Sequence, residues 1–226
     1  MRLLFITMLL NVLIMTAHAS ESIGHITNSA GKIQIKTIKA KRLEGIPGTQ
    51  INVGDFLKVR KKSMAIIAMQ DGSKFQISEK TTLVFDDFLY DETNQKMLVR
   101  IIDGALSYDG KKIAPNSNRQ FNTKGFTLTV RGTKFAGKFG STSQIVLLKG
   151  AVELSGKGKS QVLSGSSMQS IIFDASGMGQ PFNMSIIEVK SFFVKHGLNF
   201  DLLMGPKFEQ NIESSNKNCV GSNCGN

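Results

Sequence analysis

The chain has 226 residues, 28 Lys and Arg against 17 Asp and Glu, and a formal net charge of +11. That length, with 41% hydrophobic residues, suffices for a real core and excludes a wholly disordered chain. Two Cys are too few for a disulfide-stapled miniature fold, and the basic balance favours anionic partners.

The first segment is Met1-Arg2, an apolar run from Leu3 to Met15 interrupted by Thr7 and Asn11, then Ala17-His18-Ala19 before Ser20-Glu21. A positive start, a short apolar run and small residues at the two positions a signal peptidase reads make a secretory signal. A spanning helix needs about 20 apolar residues, more than this run supplies. Residues 1–19 are therefore expected to be removed after Ala19, leaving a periplasmic or secreted protein. No Cys stands near the cut, so a lipoprotein anchor is not expected. The longest later apolar stretch is Met64–Met69, so no span should remain after cleavage.

Residues 20–175 read as mainly β. Gly31 to Ile38 and Phe126 to Arg131 alternate apolar and polar, as half-buried strands do. Three stretches share a strand, Gly turn, strand layout: Ala65–Ile77 around Asp71-Gly72, Leu98–Tyr108 around Asp103-Gly104, and Ile145–Leu154 around Lys149-Gly150. An Asp-Gly pair supplies the positive φ of a tight hairpin turn, so three related antiparallel hairpins are expected. Stacked, they would form a sandwich or a short β-solenoid. Asp86, Asp87, Asp91 and Glu92 fall in a stretch, 86–97, that reads as a polar loop.

Basic residues cluster at Lys36, Lys39, Lys41 and Arg42, at Arg60, Lys61 and Lys62, and at Lys111-Lys112. No aromatic residues interleave them as a single-strand nucleic-acid binder would require. For an exported chain they point to an anionic cell-wall or surface polymer, lipid head groups, or an acidic envelope protein, and not to nucleic acid. Their plainer role is to keep sheet edges soluble and unpaired.

The pattern changes across residues 176–206. Ser185-Ile-Ile-Glu188 is a capping box, and Ile186, Val189 and Phe193 share one helical face, widened by Phe192. Lys195, His196 and Gly197 suit a helix end, so an amphipathic helix is expected over 186–196. Residues 207–226 are rich in Asn, Ser and Gly and are expected to be a disordered tail. Its Cys219 and Cys224 are disulfide candidates in an oxidising compartment. Two thiols without a neighbouring His fall short of a zinc set.

Nothing in the sequence assembles a catalytic centre. The two His beyond the signal, His25 and His196, read as surface or cap residues, and the glycines sit in turns rather than at a phosphate-cradling strand-to-helix junction. The acidic stretch reads as a solvated face rather than a paired-carboxylate hydrolase. The expectation is a binding domain that is not an enzyme and needs no cofactor or metal.

Several motifs together resemble the FecR-type domain family: Gly54-Asp55-Phe-Leu, Ser63 through Asp71-Gly72-Ser73, Ile102-x-Gly104-Ala-Leu, Val130-Arg131-Gly132-Thr133-x-Phe135, Leu148-x-Gly150-Ala-Val and Leu163-x-Gly165. They cover about residues 23–173. Val59 stands where the family often has Thr, and 86–97 looks lengthened. The resemblance implies architectural roles for these residues, with Gly132 in a turn or bulge and Arg131 paired with Asp55 or Asp71. The best-known members are inner-membrane regulators whose periplasmic part senses an iron-siderophore transporter and whose cytoplasmic part controls a sigma factor. This chain is similar to the periplasmic part and to stand-alone secreted members.

Overall fold

The computed structural model describes residues 22–91, 93–111, 117–164 and 168–205. The expected signal, Glu92, Lys112, Gly165 and the tail with Cys219 and Cys224 lie outside the described residues. The strands, in chain order, are β1 (Ser22–Ala30), β2 (Ile33–Lys36), β3 (Arg42–Glu44), β4 (Gln50–Asn52), β5 (Phe56–Val59), β6 (Met64–Met69), β7 (Lys74–Ile77) and β8 (Thr82–Tyr90). Then come β9 (Gln95–Asp109), β10 (Asn118–Thr123), β11 (Phe126–Phe139), β12 (Thr142–Gly156), β13 (Lys159–Ser164), β14 (Gln169–Asp174), β15 (Gly177–Met178) and β16 (Phe182–Asn183). Two helices close the described part of the chain, α1 (Ile186–Lys195) and α2 (Phe200–Met204).

Hydrogen bonds link all the strands into one open sheet, but β9, β11 and β12 each serve two layers. The first halves of β9 and β11 and the second half of β12 join β3-β2-β5-β8-β9-β10-β11-β12-β13. Their other halves join β4-β1-β6-β7-β9-β11-β12-β14. Alternate residues of the two layers face each other, and aromatic rings bridge them. Phe75 meets Phe85 at 5.6 Å, and Phe121 meets both Tyr108 and Phe135 at 5.0 Å. Such offset and edge contacts add to the area each ring buries. The arrangement is the sandwich rather than the solenoid. Among the described residues only β9–β10 is a parallel pair, whereas solenoid coils stack by repeated parallel pairing.

Of the three expected hairpins, one forms. Asp71-Gly72 joins β6 to β7, closed by the Met69 N–H donating to Ser73 O at 2.9 Å. Gly104 and Gly150 instead lie inside β9 and β12, at the points where these strands pass between layers. Positive φ serves a sheet corner as well as a turn. Gly104 (φ 113°) lies so close beneath Thr81 that a Cβ would stand 2.3 Å from the Thr81 Cα. At Gly150 (φ 86°) a Cβ would stand 2.6 Å from the carbonyl oxygen of Gly132, the corner glycine of β11.

The expected helix forms as α1. Ser185 Oγ accepts from the Glu188 N–H (3.3 Å), and the Glu188 carboxylate accepts from the Ser185 N–H (2.7 Å). These bonds hold the Glu188 carboxyl below its ordinary pKa. Val189, Phe192, Phe193, Phe200 and Leu203 pack on Ala105, Ala136 and Val146, on the outer face of the β1-bearing layer. The small residues there let the helices approach the sheet. α2 was not anticipated. The Asn199 N–H donates to Gln76 Oε1 (3.1 Å) at its start, and Lys134 Nζ donates to Leu203 O (2.7 Å) at its end.

His196 caps α1 half-buried, its ring 4.6 Å from that of Phe192. Burial, reinforced by Lys195 and Lys138, lowers its pKa below the ordinary value. The unfolded chain therefore binds the proton more tightly. This contribution to stability is complete above about pH 6.5 and is lost as pH falls through the lowered folded value. Stability against urea should decline on acidification below pH 7, and His196→Gln should flatten that part of the profile.

Candidate functional site

The outer face of the other layer carries the cations. In β2, Ile33 and Ile35 point inward, leaving Lys32, Gln34 and Lys36 outside; in β5, Leu57 and Val59 point inward, leaving Phe56 and Lys58 outside. Strand register sets Lys36 between Arg42 and Phe56, and Gln34 between Glu44 and Lys58. Arg60 follows β5, and its Nε donates to Gln34 Oε1 at 3.0 Å. Together Lys32, Lys36, Arg42, Lys58 and Arg60 line an open groove of about 620 Å³, in which Glu44 is the one acid. Among the described residues, none of these five cations lies within 4.0 Å of a carboxylate.

Of the expected basic residues, Lys36, Arg42 and Arg60 line the groove. Lys39, Lys61 and Lys62 are exposed on the flanking turns, where the Lys62 N–H donates to the Glu79 carboxylate. Lys32 and Lys58 were missed because only the β2–β5 pairing brings them to this face. Period-2 alternation about Leu57 does place Lys58 outward, so part of the signal was present.

Apart from Phe56, the family-motif residues lie elsewhere. Asp55 is buried, and its Oδ2 accepts from the Asn52 N–H (3.0 Å) to close the turn from β4 to β5; burial raises its pKa, and the Asn52 hydrogen bonds oppose this. Gly54 in that turn donates its N–H to Phe85 O at 2.7 Å. Thr133 Oγ1 accepts from the Arg131 N–H (3.0 Å) and donates to Ala151 O (2.6 Å), clamping the corner of β11 to β12.

Arg131 itself is exposed and pairs with neither Asp55 nor Asp71. The partner of Asp71 is Arg119, at 2.7 Å with both side chains buried. The second Asp71 oxygen accepts from Ser73 Oγ (2.6 Å) and the Ser73 N–H (2.9 Å), and Arg119 also donates to Lys111 O (2.9 Å) and Gln95 Oε1 (3.2 Å). Tyr108 lies beside this pair, and burial pushes its phenol pKa well up, partly opposed by Arg119. Arg119 was detectable, since it stands two residues from the inward Phe121.

The acidic stretch is not a loop. Asp86 and Asp87 lie in β8, which runs to Tyr90, and β9 already begins at Gln95. Arg100 holds Asp86 through two hydrogen bonds (2.8 and 2.7 Å), and Lys96 lies 2.6 Å from Asp87. Among the described residues no group of three or more His, Cys, Asp or Glu could hold a metal ion. No helix there is long and apolar enough to cross a membrane.

Residues 55–153 match the family described as FecR protein. The match spans under half of the chain, and over that stretch the chain is similar to the FecR family. It runs from Asp55, just before β5, to Glu153 in the second half of β12, so that β2 and β3, which supply most of the groove, precede it. The fold is shared with two crystal structures of a candidate anti-sigma factor from Parabacteroides distasonis, each with a TM-score of 0.51 at 16% identity over 61% of this chain. The match covers 63% of that protein's length, and at such identity the likeness is one of fold alone. No curated protein matches the chain.

Two predictions follow from the charges. Removing one member of a buried pair strands the other, so Arg119→Met or Asp71→Asn should cost about 3–5 kcal/mol in urea unfolding. The double variant Asp71→Leu with Arg119→Met should recover much of the loss. Conversely, Lys36 directly opposes Arg42 across the strands. Lys36→Glu replaces a like-charge pair with an attractive one and should stabilise by about 0.2–1 kcal/mol at low salt.

Proposed function

We propose that this chain is an exported, non-catalytic interaction domain of the bacterial cell envelope, which meets an envelope protein or an anionic glycan through its basic face. One observation carries the reading: among the described residues, five cations border one groove with no carboxylate within 4.0 Å of any of them. Such a face attracts a polyanion, and the attraction weakens as salt screens it. The family motifs, by contrast, are spent on turns and sheet corners. They support the frame and offer no reactive group. Residues 1–19 act as the export signal, delivering the rest of the chain to the periplasm or the medium.

The FecR match favours a second reading, a free periplasmic sensor in a signalling or iron-uptake system, with the partner again a protein. Loss of iron-responsive transcription on deleting the gene would support it, and unchanged transcription would count against it.

For the first reading, peptidoglycan and envelope extract should retain the chain at low ionic strength and release it at high salt. The combined variant Lys36→Glu, Lys58→Glu, Arg60→Glu should lose retention while keeping its thermal transition. Absence of retention at low salt would sink the proposal.

A further inference from the structure

The basic groove does not end in solvent; it runs into an exposed apolar tip. The turn from β2 to β3 is closed by the Thr37 N–H donating to Lys41 O (2.9 Å) and the Ala40 N–H donating to Thr37 O (2.8 Å). Ala40 sits in the left-handed region at φ 59°. This tight turn holds Ile38 outward with 77% of its surface exposed, between Lys36, Lys39, Lys41 and Arg42, which are all exposed as well.

A lone exposed Ile is ordinary on a protein surface. Ile38 is not alone, however. Its side chain lies over Gly54, whose position borders a second hollow of about 400 Å³ lined by Phe56, Val84, Ile102, Lys36 and Arg100. Phe56 and Val84 are direct cross-strand neighbours. An apolar strip therefore runs from exposed Ile38 across half-buried Phe56, over the buried Val84, to Ile102. Lys36, Arg42 and Lys58 flank it with no ion-pair partner among the described residues, and Arg100, at its far end, is held by Asp86. A soluble polyanion would use these cations but has no need of the strip. An anionic bilayer uses both: head groups meet the cations and the acyl boundary receives the apolar residues.

We infer that this face docks on an anionic lipid surface, with Ile38 as the inserting residue and the surrounding lysines and arginines on the head groups. The inference rests on the basic face being an anion-binding surface, but adds a requirement for Ile38 that binding a soluble polyanion lacks.

The test uses the mature chain isolated after export, sedimented with vesicles of phosphatidylcholine alone or with one part in three replaced by phosphatidylglycerol. Binding should require the anionic lipid. Lys39→Glu with Lys41→Glu should weaken it by at least fivefold per charge, from the attraction each basic residue feels near such a surface. Ile38→Ser should weaken vesicle binding about tenfold, through lost burial of aliphatic carbons, and leave retention on soluble polyphosphate unchanged. The chain has no Trp, so Ile38→Trp also makes a single reporter whose emission should shift to the blue on anionic vesicles but not on polyphosphate. Polyphosphate retention without vesicle binding, or vesicle binding indifferent to Ile38→Ser, overturns the lipid inference and leaves the basic face standing. Failure on both polyphosphate and vesicles removes both.

Discussion

Three strands must leave one layer and enter the other without dropping their hydrogen bonds, and the rest of the fold is arranged around that constraint. A straight strand cannot serve both sheets of a sandwich, so β9, β11 and β12 each bend partway along. Each bend falls at a glycine with positive φ, and at those of β9 and β12 something occupies the place of the missing side chain. Thr81 fills the hollow over Gly104, and its hydroxyl both accepts from the Ala105 N–H and donates to Ala105 O. Gly132 and Gly150 approach each other, with the Thr133 hydroxyl pinning the adjoining backbone. The motif that the sequence shares with the FecR family is therefore mostly a set of corner fittings.

The corners also explain why a charge pair is tolerated inside. Once β9 has crossed over, β10 lies parallel to its first half, and a parallel neighbour cannot be reached by a two-residue hairpin. Arg119 fixes that return. It reaches Asp71 in the β6–β7 turn, Gln95 at the start of β9 and the Lys111 carbonyl just beyond its end. A buried ion pair gains little over well-packed apolar residues in net stability. What this one does is tie three distant stretches of chain into one register.

Strand alternation, the capping box and the apolar face of α1 were legible in the sequence because each depends on neighbours a few residues away. The Asp-Gly pairs were legible as positive φ but not as turns, since a corner and a hairpin ask the same of the glycine and differ only in what pairs on either side. The stretch 86–97 read as a polar loop because its acids looked unpartnered; Arg100 and Lys96, which neutralise them, lie across a strand pair that composition cannot reveal. The groove was half visible for the same reason. Lys36, Arg42 and Arg60 announced themselves in charge runs, whereas Lys32 and Lys58 join them only through the β2–β5 register.

The distribution of charge within one sheet is what separates the basic face from an ordinary soluble surface. At β8 and β9 the outward positions are matched in sign, Asp86 with Arg100 and Asp87 with Lys96. At β2, β3 and β5 of the same layer they are not, and Lys36 stands opposite Arg42. Solubility asks for charge but not for like charge, and mixed signs serve it well. Keeping edge strands unpaired would require cations on β3 alone, at the rim. It gives no reason for Lys58 on the third strand in, nor for the apolar residues between the cations. A face that sets same-sign charges side by side gives up cross-strand attraction that the neighbouring strands keep, and an anion bound there would restore it.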